Sequence, residues 1–371
     1  MVGTVSEADP TCNGVRHASV GGTGREVRIR RRAGIRAAAC SPLVSLAHIA
    51  CTAFREDPTM LAIPLDAGPV DAAPVRAVSV DPIAHPPCDR SKPFGPPTLV
   101  PGLATAVRAP SIAGLRLSPD QLTGYFQAGG SVGRSNQDIY VATRPTVGAP
   151  FTDATPIAGP EINTDTDDEQ TPAVSGDGLT LVFARSVHGI GFRTLSRLFY
   201  TARASASSAF AGPRPLANFA VGDTNPFLRE DGLVLYITYV PTSAGDGGNF
   251  DIYRSFWNGS DFGPPIEATD LNTSFKDYAA VVTPDDLTVY FGSDRPDPQS
   301  KGNGDIWVAT RTSPVQPFST PAIVPEVSSA LPEAPTYVTR DGCALYYSIF
   351  TDDAEHPDGV YAEYVAEKPA R

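Results

Sequence analysis

One nine-residue pattern occurs five times in this chain at nearly constant spacing, and it constrains the fold more than any other feature. The copies are Ser118-Pro-Asp-Gln-Leu-Thr-Gly-Tyr-Phe126, Ser175-Gly-Asp-Gly-Leu-Thr-Leu-Val-Phe183, Arg229-Glu-Asp-Gly-Leu-Val-Leu-Tyr-Ile237, Thr283-Pro-Asp-Asp-Leu-Thr-Val-Tyr-Phe291 and Thr339-Arg-Asp-Gly-Cys-Ala-Leu-Tyr-Tyr347. Their central residues Asp120, Asp177, Asp231, Asp285 and Asp341 are 57, 54, 54 and 56 residues apart. A fixed period of this size marks stacked or radially arranged supersecondary units.

Each copy has a local physical meaning. Pro-Asp or Asp-Gly makes a tight turn, and the Leu-x-Leu/Val-Tyr-Phe run after it is rich in strand formers, so the pattern closes a β-hairpin. A second marker follows as Asp138-Ile-Tyr-Val, Arg197-Leu-Phe-Tyr, Asp251-Ile-Tyr-Arg, Asp305-Ile-Trp-Val and Gly359-Val-Tyr-Ala, a third strand. A third marker, Phe with nearby Gly and Pro, precedes a fourth strand at Phe151, Phe210, Phe262 and Phe318, and once early at Phe94. Four strands per unit is the sheet of a propeller blade. With 37 Pro and 33 Gly in 371 residues, the composition suits short strands and turns rather than long helices.

The expected fold is therefore all-β, a five-bladed β-propeller of four-stranded antiparallel blades. The last unit lacks its fourth strand, whereas residues 94–101 supply one that belongs to no preceding unit. The N-terminal strand is thus expected to complete the last blade and remove two open sheet edges. A sixth blade would have to come from residues 1–93, which carry neither of the first two markers. Cys88 stands before the closing strand and Cys343 in the first hairpin of the last blade, so closure brings them together as a disulfide candidate; the alternative is two unrelated thiols.

These turn and Asp-Ile-Tyr-Val motifs resemble the WD-like repeat of TolB-type periplasmic β-propeller proteins, over residues 94 to about 366. Cys88-Asp-Arg-Ser-Lys-Pro-Phe-Gly95, behind a Pro/Ala/Asp linker, resembles bacterial surface lipoproteins that carry this repeat. The resemblance implies an exported binding or scaffolding role and no reaction. Arg197 and Gly359 depart from the Asp of the second marker.

The organisation expected is a signal-like or disordered leader over 1–51, a linker over 52–87 and the propeller over 88–371. In the leader, Arg28, Arg30, Arg31, Arg32 and Arg36 precede a weakly apolar stretch ending at Cys51. That order is signal-like, and Ser45-Leu-Ala-His-Ile-Ala-Cys51 resembles a degraded lipobox with Cys51 as the lipidation candidate. The alternative is a mis-started leader. The net charge of −12 argues against nucleic acid as a partner, because phosphate binding needs a basic face.

Eight residues before the turn aspartates stand Glu169, Asp223, Asp277 and Glu333, with Ile112 breaking the series in the first unit. A propeller places them near the start of the innermost strands, around one channel mouth. There they could bind a cationic ligand or calcium, reinforced by Asp165, Asp167 and Asp168. The structural alternative has each carboxylate accept hydrogen bonds from a neighbouring blade or pair with a repeated arginine, Arg144, Arg203 or Arg311. No catalytic residues stand out: there is no Gly-x-Ser-x-Gly, His-Glu-x-x-His or phosphate-binding glycine loop. The function expected is an exported, lipid-anchored module that binds protein, peptide or glycan at one mouth. The alternatives are a glycoside hydrolase or lyase using mouth carboxylates, and a structural envelope component.

Overall fold

The computed structural model describes residues 87–130, 136–187, 195–240, 249–352, 354–357 and 359–371. The expectations for the leader, the linker up to residue 86 and Cys51 lie outside them. The described chain forms five four-stranded antiparallel sheets. Blade 1 is β2 (Ser111–Leu117), β3 (Thr123–Gly129), β4 (Gln137–Thr143) and β5 (Thr152–Pro156). Blade 2 is β6 (Asp167–Val174), β7 (Thr180–Val187), β8 (Leu195–Ala202) and β9 (Arg214–Pro215). Blade 3 is β10 (Asp223–Leu228), β11 (Val234–Tyr239), β12 (Asp251–Phe256) and β13 (Ile266–Glu267). Blade 4 is β14 (Asp277–Val282), β15 (Thr288–Ser293), β16 (Asp305–Thr310) and β17 (Ala322–Ile323). Blade 5 is β18 (Glu333–Val338), β19 (Ala344–Thr351) and β20 (Val360–Glu367), completed by β1 (Thr98–Leu99), which pairs with β20. A short helix, α1 (Leu103–Val107), leads from β1 into blade 1.

The inner strands touch in the cycle β2, β6, β10, β14, β18 and back to β2, so the ring closes. Cys88 and Cys343 meet at disulfide distance, with their Cα atoms 5.8 Å apart. This is the five-bladed propeller with N-terminal closure that the repeats imply.

Two local devices recur in each blade. The turn aspartate accepts the backbone N–H two residues on, at Leu122, Leu179, Leu233, Leu287 and Cys343, over 2.9–3.1 Å. The residue after it is left-handed: Gln121, Gly178, Gly232, Asp286 and Gly342 have φ of 57–74°. Glycine is favoured there because it has no Cβ to clash. The inner strand also carries a bulge six residues before the turn aspartate, left-handed at Gly114, Thr171, Asn225 and Ala279. Blade 5 has Pro335 at that position, and its register shift falls between Pro335 and Tyr337.

In blade 5 the third strand is offset from the expected alignment. Ala362, not Gly359, lies opposite Ile349, as Asp138 lies opposite Ala128. This shift of three residues accompanies pairing of β19 with β20 from Ala344–Glu367 to Thr351–Val360, and Val-Tyr alternation alone does not mark the register. As a result Glu363 occupies the core position held by Ile139 in blade 1.

Candidate functional site

Inner strands run from the connector face, where each blade is joined to the next, to the hairpin face, where the turn aspartates lie. Glu169, Asp223, Asp277 and Glu333 all stand near the connector-face start of their strands, and all are buried. Each caps the connector that leads into its own strand. Glu169 accepts from Thr164 N and Oγ1 at 3.0 and 2.9 Å, and Asp277 from Thr273 N and Oγ1 at 2.7 and 2.8 Å. Asp223 accepts from Ala220 N at 2.6 Å and Glu333 from Ser329 N at 2.7 Å. Tied separately in this way, they do not form a joint ligand set: among the described residues no three His, Cys, Asp or Glu side chains are grouped to hold a metal ion. Ile112 is buried in β2, and of the neighbouring acids Asp168 is buried and accepts the Gln137 N–H at 3.0 Å.

The repeated arginines are at the opposite face. Arg144, Arg203 and Arg311 follow the third strands and donate Nε to the turn carbonyls of Gln121, Gly178 and Asp286, each at 2.7 Å. Their guanidinium groups cover the rings of Phe151, Phe210 and Phe318, at 4.7, 4.4 and 4.1 Å. Lys368 covers Phe94 at 4.5 Å in the same register. Trp257 stands there in blade 3, edge-on to Phe262 at 5.1 Å, half-buried and packed against the neighbouring apolar cluster. The Phe markers are thus explained by a cation–aromatic clamp that ties hairpin turn to outer strand.

Two other arginines serve the carboxylates. Arg185 pairs with Glu169 at 2.8 Å, and Arg295 pairs with Asp277. Arg185 lies over the rings of Phe183 and Phe199 at 5.5 and 4.5 Å, and Arg295 over Phe291 and Trp307 at 5.0 and 5.1 Å. In a hairpin centred on the turn aspartate, residues eight before and eight after face each other. Hence Glu169 pairs with Arg185, Asp223 with Tyr239, Asp277 with Ser293 and Glu333 with Ile349. That mirror relation is the signal in the sequence that would have found Arg185. Arg295 reaches back from two residues further on.

Burial pushes Asp223 up to about 6 and Glu333 up to about 7. No ion pair within 4 Å is found for either among the described residues. Glu169 is also raised by burial, against the pull of Thr164 and Arg185. Burial disfavours a charged carboxylate, and hydrogen bonds and a cation oppose it.

The channel is bridged at the hairpin face. Arg340 of blade 5 pairs with Glu230 of blade 3 at 2.5 Å, and since these blades are not neighbours the bridge crosses the axis. Gly176 N donates to Glu230 O at 2.7 Å from blade 2. Deeper in, Arg116 of blade 1 is buried and donates to Thr336 O of blade 5 and to Pro226 O of blade 3, the latter at 3.1 Å. None of these groups is singled out by the repeat pattern.

No family model and no curated protein matches the chain. Among solved structures, it is similar to TolB from Acinetobacter baumannii at 14% identity and TM-score 0.34, over 70% of this chain and 56% of that one. It thus spans about half the length of that TolB. It is also similar to the catalytic domain of the Coprinopsis cinerea GH62 α-L-arabinofuranosidase, at 10% identity and TM-score 0.45, over 73% of this chain and 95% of that one. The α-L-arabinofuranosidase PaAbf62A of Podospora anserina shows 11% identity and TM-score 0.44, over 74% and 96%. These likenesses are too distant to carry a functional argument; the propeller architecture rests on the five sheets themselves.

Proposed function

We propose that this protein is an exported binding module that takes a protein, peptide or glycan at the connector face of its propeller. The observation that carries the proposal is the Arg340–Glu230 bridge across the axis, which with Arg116 obstructs the hairpin mouth and so favours the connector face. Export is supported by the Cys88–Cys343 pair, because disulfides persist in oxidising compartments. A lipid anchor at Cys51 would hold the module at a membrane surface.

A binding role also suits the separate tethering of the four carboxylates. Two carboxylates that act as acid and base on one glycosidic bond must face each other across it. Here each accepts hydrogen bonds from its own connector instead. The test is to screen the oxidised full-length protein against arrays of glycans and peptides, in parallel with a turnover panel of aryl glycosides and acidic polysaccharides. Saturable binding without turnover is expected. Turnover that disappears in Asp223→Asn or Glu333→Gln while the fold is kept would replace the binding module with an enzyme.

A further inference from the structure

Blades 2 and 4 show how this fold accommodates a guanidinium. Arg185 has a carboxylate on one side, the carbonyls of Glu161 and Ile162 at 2.5 and 3.0 Å on another, and two aromatic rings beneath it. Arg295 repeats the arrangement with Asp277, the Leu271 carbonyl at 2.6 Å, Phe291 and Trp307. A planar, delocalised cation satisfies all three demands together, because it hydrogen-bonds at its edge and stacks on its face.

Blade 5 keeps the carboxylate and the stacked aromatic pair, with Ile349 in place of the arginine. Glu333 stands in the Glu169 position at 0% exposure. Tyr347 and Tyr364 stack at 6.0 Å in the places of Phe183 and Phe199, which stack at 5.7 Å. Cross-strand pairing puts Glu333, Ile349, Tyr347 and Tyr364 on one side of the sheet. Ile349, half buried, stands where Arg185 stands in blade 2. Two buried polar atoms are left without a hydrogen-bond partner, Glu333 Oε2 and the Tyr347 hydroxyl. Lys301 does not supply one, since it donates its ammonium to Pro325 O at 2.6 Å. Buried polar groups are normally paired, and an unpaired one stands to gain from any partner that reaches it.

We infer that the blade 5 niche receives a guanidinium from outside the chain, the arginine side chain of a peptide or protein presented at the connector face. The inference rests on the binding-module proposal and names its ligand chemistry. The incoming group donates to Glu333 Oε2 and lies against the tyrosine pair, while Ile349 changes rotamer to admit it. The chain's own use of arginine at the two filled sites favours guanidinium over a simple ammonium.

The test uses the oxidised full-length protein and calorimetric titration with N-acetyl-arginine amide and with its neutral isostere, N-acetyl-citrulline amide. Wild type is expected to bind the arginine probe at least tenfold more tightly than the citrulline probe, and Glu333→Gln to lose that preference. Ile349→Arg fills the niche from within, so it should raise Tm and bind neither probe; it decides the matter if Glu333→Gln does not fold. No preference for arginine in wild type, or an undiminished preference in Ile349→Arg, would overturn the proposal. Array binding that does not depend on arginine would remove the niche and keep the binding module, whereas no binding of any kind would remove both.

Discussion

Glu363 accepts the backbone N–H of Leu115 at 3.0 Å, across the seam where the last blade meets the first. The same carboxylate takes the hydroxyls of Ser348 at 2.7 Å and Thr336 at 3.2 Å, and burial raises its pKa against the opposing charge of Arg116. The corresponding residues elsewhere, Ile139, Leu198, Ile252 and Ile306, are apolar and buried. Closure of the ring therefore places a buried carboxylate at a position that is apolar in the other four blades. Glu363→Leu should strand three donors and leave Arg116 without its countercharge, lowering stability by about 3–5 kcal/mol. Urea unfolding of the variant reads this as a fall in midpoint, and a near-neutral result would show that this carboxylate is dispensable.

The Cys88–Cys343 pair spans 255 residues and holds β1 against the last blade. Reduction, or Cys343→Ser, is expected to cost about 2–5 kcal/mol through the freed unfolded chain. The measurement is Tm with and without dithiothreitol. Cys343→Ser should show no further response to the reductant.

Arg203 tests the clamp. It sits 4.4 Å over Phe210, donates to Gly178 O at 2.7 Å and reaches Tyr125 of blade 1 at 3.0 Å. Arg203→Ala should lose roughly 1–3 kcal/mol. Arg203→Lys should recover only part of that, because an ammonium cannot stack on the ring and make both hydrogen bonds.

Glu333 sets a pH dependence. Its pKa lies near 7 in the fold and close to 4.5 without it, so between those values the native state holds more protons than the unfolded chain. Its contribution to stability therefore falls as pH rises from about 4.5 to about 7 and is flat above, on the order of 3 kcal/mol in all. Glu333→Gln removes the titration, so its Tm should decline less than that of wild type over this interval. Equal declines would mean that Glu333 is ionised throughout.

The Gly292 position offers a steric test. A Cβ there would stand 2.4 Å from the Tyr278 ring and 3.0 Å from Glu333 O. Tyr278 donates its hydroxyl to that carbonyl at 3.1 Å and so joins blade 4 to blade 5. Gly292→Ala should displace the ring and lower Tm by several degrees, a loss of about 1–3 kcal/mol. Near-ultraviolet circular dichroism should register the altered tyrosine environment.

The blades themselves were legible in the sequence because their chemistry is local. An aspartate that accepts the N–H two residues on, a left-handed residue after it and a run of strand formers are all set within ten residues, and repetition multiplied the signal. Even the odd outer strand at Phe94 and the paired cysteines followed from counting strands per unit. The bulges at Thr171, Asn225 and Ala279 left no such mark, since tertiary packing imposes a left-handed backbone on residues that are not glycine. The same holds for the site. The four carboxylates could be found by their register, yet their partners come from the connectors and, for Glu169 and Asp277, also from Arg185 and Arg295. The Arg340–Glu230 bridge and the Glu363 seam join residues that only ring closure brings together, whereas the position that Ile349 holds in blade 5 gains its meaning from the arginines of blades 2 and 4. Contacts between blades that are distant along the chain depend on the geometry of the whole ring, and a pattern read within one repeat carries no information about them.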